Sequence, residues 1–204
     1  MIAIDGVIGH GAPLRRVAET FTDEVVGLRG PNGSGKTTLL RTLAGLVPLV
    51  EGTLTIDGRV VDGGGTFVYP EDRRLRYVDR DPFPSGSLGQ FLAFPLQCAG
   101  LRRGDRERFV KEAIETFGLG DLSALSIREM SQGQLARATI ARAFIGHPRA
   151  IFLDEPFRGL DEANKERMLT VLREQLRANG LLAIVVSHDP SDLTRLCDRV
   201  VSFD

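Results

Sequence analysis

The stretch Gly30-Pro31-Asn32-Gly33-Ser34-Gly35-Lys36-Thr37-Thr38 decides the reading of this chain. It fits the phosphate-binding pattern of Gly, four residues, Gly, Lys and Ser/Thr. Glycines let backbone N–H groups turn inward around phosphate oxygens, because no Cβ blocks the approach. On this pattern Gly30, Asn32, Gly33, Ser34, Gly35 and Thr38 form the cradle. Lys36 reaches the β- and γ-phosphates, and Thr37 offers its hydroxyl to Mg²⁺. Val25–Leu28 before the loop reads as a buried strand. Thr38–Ala44 after it reads as a helix, whose positive N-terminal end favours an anion. The pattern alone arises by chance in on the order of one chain in a hundred of this length. A preceding strand and a following helix make chance rarer still, so nucleotide binding is the working reading.

The wider composition sets bounds. The chain has 204 residues, enough for one large α/β domain. A net charge of −1 gives no global attraction to nucleic acid or to an anionic membrane. Cys98 and Cys197 are far apart and match no metal-ligand spacing, so they read as buried or free thiols. Met1–Asp5 reads as a strand and not as a secretory signal. No apolar run approaches the roughly 20 residues of a membrane span. The expectation is a soluble, cytoplasmic protein that meets a membrane only through another chain.

Outward from the loop, Ile2–Val7 and Val17–Phe21 read as strands of a small antiparallel sheet. Gly52–Ile56 and Thr66–Val68 read as further strands, separated by a flexible turn at Asp62–Gly65. A strand from Arg73 to Val78 ends at Asp79-Arg80-Asp81-Pro82. From about residue 87 to 129 the pattern becomes helical. Leu88–Ala99 is one helix, and Phe109, Val110, Ala113, Ile114 and Phe117 mark another with Asp105 as its N-cap. A helix from Ser131 to Ile145 leads to the apolar run Ala150–Leu153, as a buried parallel strand requires. Glu162–Ala178 is helical and stops at Asn179-Gly180. Strand Leu181–Val186, a short helix at Pro190–Leu196 and strand Arg199–Phe203 close the chain. Strand alternating with helix predicts an α/β fold: a phosphate-loop core with a mostly parallel sheet, a small N-terminal antiparallel β subdomain and a helical insert. Residues 1–204 are expected to form a single domain carrying that insert.

Asp154 and Glu155 follow directly on the buried strand Ala150–Leu153, where an α/β sheet binds its ligands. Asp154 is placed to hold Mg²⁺ with Thr37. Glu155 is placed to accept a proton from an attacking water.

At this point the chain resembles the nucleotide-binding domain of ABC ATPases over nearly its whole length. Met130-Ser131-Gln132-Gly133-Gln134 is similar to the family signature, Gly159-Leu160-Asp161 to the D-loop, and Ser187-His188-Asp189 to the switch-histidine segment. The resemblance implies ATP and Mg²⁺ as cofactors and ATP hydrolysis as the activity, with Lys36, Glu155 and His188 catalytic. It implies that Ser131, Gly133, Gln134 and Asp161 serve the nucleotide of a second ATP-binding subunit, in a head-to-tail homo- or heterodimer. A separate membrane-spanning transporter subunit is the further partner implied, which would hold the chain peripherally at the inner face of the membrane.

The chain departs from the family pattern in three respects. Met130 and Gln132 stand where Leu and Gly are usual. His10 lies nearest the position of the adenine-stacking aromatic. Arg80 aligns with a Gln that ordinarily serves the metal and the water; an Arg has no acceptor and cannot ligate a metal. Tyr69–Arg74 and Phe109–Leu119 are similar to importer ATPases for oxyanions and related solutes. A groove beside Asp81–Phe91, with Phe83, Leu88 and Phe91, is the expected seat for a short helix of the membrane subunit, with core packing of the insert as the alternative. The competing class is a soluble ABC-type ATPase working on nucleic acid or ribosomes. No heptad stretch, second ATP-binding half or basic patch speaks for it, so no direct nucleic-acid partner is expected. A small-molecule kinase would share the phosphate loop but leave Ser131–Gln134 and His188 unexplained.

Overall fold

A computed structural model describes residues 1–79 and 86–204. Arg80, which the sequence reading excludes as a metal ligand, and Asp81 and Phe83 of the expected docking groove lie outside the described residues. The chain divides into two compact units.

The first unit comprises residues 1–77, 149–155 and 176–204. Its antiparallel sheet runs in the order β2-β1-β4-β5-β6, built from β1 (Ile2–Gly9), β2 (Pro13–Phe21), β4 (Glu51–Ile56), β5 (Arg59–Gly63) and β6 (Thr66–Phe67). The second sheet has the order β10-β3-β9-β8-β7, from β3 (Val25–Arg29), β7 (Leu75–Val78), β8 (Ala150–Asp154), β9 (Leu182–Val186) and β10 (Arg199–Ser202). The pairs β10–β3, β3–β9 and β8–β9 are parallel. Strands β8 and β9 are buried at every position, which explains their unbroken apolar runs. Helix α1 (Lys36–Ala44) packs against strands of both sheets through Leu39, Leu40 and Leu43, each fully buried. One apolar cluster joins these side chains to Ile2, Ile4, Phe21, Leu54, Phe152 and Ile184. The α/β architecture expected from the sequence is the one observed.

Two elements of this unit depart from the sequence reading. Arg59–Gly63 is a strand; its glycine run belongs partly to β5 and partly to the turn before β6, where Gly63, Gly64 and Gly65 all have positive φ. Pro70–Arg73 is a one-turn helix, α2, with Pro at its start, so the strand expected from Arg73 begins only at Leu75. Arg73 is buried at 2% exposure. Its guanidinium donates to Thr42 O and Leu43 O at 2.9 Å, closing the last carbonyls of α1. It also pairs with the buried Asp62 at 3.7 Å.

The second unit comprises residues 78–148 and 156–175. Here α3 (Leu88–Cys98), α4 (Arg103–Thr116) and α5 (Gln132–Phe144) pack on one another, and α6 (Glu162–Asn179) follows Asp161. The N-cap of α4 is Arg102, and Asp105 lies in its first turn. An acid there still complements the helix dipole, which is why the sequence signal was displaced and not lost. Leu88 (0%) and Phe91 (3%) are buried, and the Arg142 guanidinium lies 4.1 Å over the Phe91 ring. They are core side chains and not a docking surface, which corrects that expectation. Helix α7 (Pro190–Leu196) belongs to the first unit, capped by Asp189.

Candidate functional site

In the first unit, β3 delivers the chain into the phosphate loop and α1 carries it away. Gly30 leaves β3 where a Cβ would stand 2.7 Å from Phe203 O, so only glycine fits. Gly35, at φ 101, is the N-cap of α1 and hands its backbone into the helix. Asn32 and Gly33 are exposed at the loop crest. The Lys36 ammonium folds back on the loop, donating to Gly30 O at 2.7 Å and Pro31 O at 2.8 Å, with Ser34 Oγ at 3.5 Å. Burial pulls this ammonium below the ordinary lysine range, against the opposing pull of Glu155 and Asp154.

Thr37 Oγ1 donates to Asp154 Oδ2 at 2.8 Å. The Tyr77 hydroxyl, from β7, donates to the same oxygen at 3.2 Å. Asp154 is 3% exposed, and its other oxygen, Oδ1, is buried and takes no hydrogen bond from any described residue. A buried, unsatisfied carboxylate oxygen is costly. Next to a threonine hydroxyl, it suits a hard divalent cation. Among the described residues no group of three or more His, Cys, Asp or Glu side chains converges on one point. Tyr77 is the residue that sequence reasoning missed. Its only signal was its place at the end of a strand.

Glu155 follows Asp154 at φ 56, the left-handed region, which costs a non-glycine residue roughly 1–2 kcal/mol. Its N–H donates to Val186 O of β9 at 3.0 Å, so the kink is held by the neighbouring strand. The His188 N–H donates to Glu155 Oε2 at 3.3 Å, and His188 Nε2 lies 3.4 Å from Oε1. The His188 ring remains half exposed. Thr38 Oγ1 lies 3.4 Å from His10 Nε2. The first unit thus brings together Lys36, Thr37, Thr38, Asp154, Glu155, His188 and His10.

The remaining sequence-assigned residues lie in the second unit and form their own group. Ser131 is the N-cap of α5: its Oγ accepts from Gln134 N at 3.3 Å, while its own N–H donates to Gln134 Oε1 at 2.9 Å. With this capping box in place, Gln132 at the start of α5 is exposed and Gly133 is half-buried, at the positive end of the helix. Gly133 faces Leu160 and Asn164, each 3.6 Å from where a Cβ would stand. Asp161 accepts from Asn164 N at 2.8 Å and Asn164 Nδ2 at 2.7 Å, and these bonds hold its carboxyl below the usual carboxylate range. The signature and D-loop segments therefore meet within one unit.

The model of the family described as ABC transporter matches residues 18–158. The Fe(3+) ions import ATP-binding protein FbpC of Streptomyces avermitilis is 38% identical over 180 residues, covering 87% of this chain and 51% of that protein. The spermidine/putrescine import ATP-binding protein PotA of Pseudomonas aeruginosa is 35% identical over 181 residues, covering 88% and 49%. The chain spans about half the length of these relatives. A dimeric, post-hydrolysis ATP-binding cassette bound to ADP and Pi shares the fold with a TM-score of 0.87 at 23% identity, over 99% of this chain and 94% of that one. The phosphate loop paired to Asp154, the Glu155–His188 couple and the matched family model together place this chain in the ABC transporter family.

Proposed function

We propose that this chain binds ATP with Mg²⁺ at the phosphate loop, hydrolyses the nucleotide, and serves as the ATP-binding subunit of an importer. In this reading it pairs head-to-tail with a second ATP-binding subunit and acts on a separate membrane-spanning subunit at the inner face of the membrane. The observation that carries it is the Thr37–Asp154 bond at 2.8 Å beside an Asp154 oxygen with no hydrogen bond from the described residues.

The chemistry follows from the residues. Lys36 exchanges the carbonyls of Gly30 and Pro31 for β- and γ-phosphate oxygens, a charge-assisted and therefore stronger contact. Thr37 and Asp154 would hold Mg²⁺, which supplies charge neutralisation at the phosphates when bound. Glu155 takes the proton of the attacking water, and His188 holds Glu155 and the γ-phosphate in register. Ser131, Gly133 and Gln134 present the N-terminal turn of α5 to the nucleotide of the second subunit, with Asp161 bordering it. The names of the relatives, which import iron and polyamines, support the importer reading and leave the solute open.

The test is calorimetric titration with Mg-ATP together with phosphate release. Wild type binds and turns over, and Lys36→Ala loses tight binding. Unchanged affinity in that variant would refute the assignment. Co-purification with an overproduced membrane subunit tests the transport half.

A further inference from the structure

The Asp154 carboxylate is held from two elements besides its own strand, α1 and β7. Thr37 and Arg41 stand four residues apart on α1 and so share one face of it. Thr37 Oγ1 reaches Asp154 Oδ2 directly, at 2.8 Å. Arg41 reaches the same oxygen through a phenol. Its Nε–H donates to the Tyr77 hydroxyl at 3.3 Å, and that hydroxyl donates to Oδ2 at 3.2 Å. Tyr77 comes from β7, the neighbour of β8 in the sheet, and its ring packs against the apolar cluster of the first unit.

A phenol has a single proton to give, and its two neighbours decide where it goes. The guanidinium has no acceptor and the ionised carboxylate has no donor, so the proton is committed to Oδ2. Turning the carboxyl to exchange its oxygens would break the Thr37 and the Tyr77 bonds together. Oδ1 therefore stays the oxygen without a hydrogen bond from the described residues. The two donors differ in what else they must do. Thr37 lies in the first turn of the phosphate-loop helix, where its hydroxyl also has to meet the metal. Tyr77 lies outside the loop, and holding Asp154 is compatible with any state of the nucleotide.

We propose that Tyr77 is a positioning residue for the metal site: its hydroxyl holds Asp154 Oδ2 so that the other carboxylate oxygen remains available to Mg²⁺. This rests on the nucleotide-binding reading above. Tyr77→Phe removes the hydroxyl and keeps the ring, so the packing of the cluster survives. The test measures dissociation constants for ATP with Mg²⁺ and in excess chelator, using wild type, Tyr77→Phe, Asp154→Asn and the double variant. Tyr77→Phe should weaken Mg-ATP binding by about tenfold, the low end for a residue that orients a metal ligand, and leave ATP binding in chelator within about twofold of wild type. In the double variant, Tyr77→Phe should add nothing to the loss caused by Asp154→Asn, because it acts through that carboxylate. Three results overturn the inference while leaving Mg²⁺-dependent nucleotide binding intact: Tyr77→Phe binding Mg-ATP as wild type does, equal losses with and without Mg²⁺, or full additivity in the double variant. Wild type whose ATP affinity does not depend on Mg²⁺ overturns the inference together with the reading beneath it.

Discussion

His188 meets Glu155 twice: its backbone N–H donates to Oε2 at 3.3 Å, and its ring Nε2 stands 3.4 Å from Oε1. The backbone contact fixes the carboxylate whatever the ring does, and the ring, half exposed, is free to turn toward a ligand. Replacing the base therefore separates chemistry from binding. Glu155→Gln keeps the shape and can still accept from the His188 N–H. It should bind Mg-ATP within about twofold of wild type and hydrolyse it at least about a hundredfold more slowly, the usual range for a lost general base. Single-turnover phosphate release measures this, and hydrolysis at the wild-type rate sinks the assignment.

Asp154 offers one oxygen to Thr37 and Tyr77 and keeps the other unbonded by described residues. Asp154→Asn should lower affinity for Mg-ATP by about tenfold or more, as lost metal-site contacts do. Affinity for ATP in excess chelator should stay within about twofold. Equal losses with and without Mg²⁺ would mean that Asp154 acts on the fold and not on the metal.

Arg73 and Asp62 are both buried, and the guanidinium also closes α1. Removing one member of a buried pair strands the other. Arg73→Leu should destabilise the protein by about 3 kcal/mol in urea unfolding. Arg73→Leu with Asp62→Asn should recover part of that, because no buried charge is left alone. A double variant no more stable than the single one would locate the effect in the α1 carbonyls instead.

The two thiols should part company in alkylation. Burial, with Asp198 beside it, pushes the Cys197 thiol up to about 12, while Cys98 is exposed. Only the thiolate reacts, and at pH 8 a thiol of that acidity is ionised to roughly one part in ten thousand. Iodoacetamide on the native protein at pH 8 should label Cys98 and spare Cys197 until denaturant is added, as read by mass spectrometry. Equal labelling of both in the folded protein would contradict the burial.

Much of the first unit was legible because its signals are local. The phosphate loop needs glycines and a lysine at fixed spacing, and β8 and β9 are buried on both faces, so their apolar runs stand out. What escaped the sequence depends on distant partners. Arg59–Gly63 is a strand because β4 pairs with it, and nothing in its glycine-ended run announces that partner. Arg73 stands at the start of the expected strand in an arginine-rich stretch, and only the carbonyls of α1 and Asp62 make its burial tolerable. Tyr77 matters because the fold sets β7 beside β8. Leu88 and Phe91 look the same in sequence whether they face a partner or a core, and packing among the helices decided for the core.

The left-handed backbone of Glu155 sets thermal robustness against activity at a single codon. A residue with a Cβ is held there at a conformational penalty, and Gly, or to a lesser degree Asn, would relieve it. Neither carries a carboxylate. A library selected only for survival on heating should therefore enrich glycine at this position and return stable proteins that have lost turnover. Any effort to harden this chain for use must hold position 155 fixed and look for its gains elsewhere.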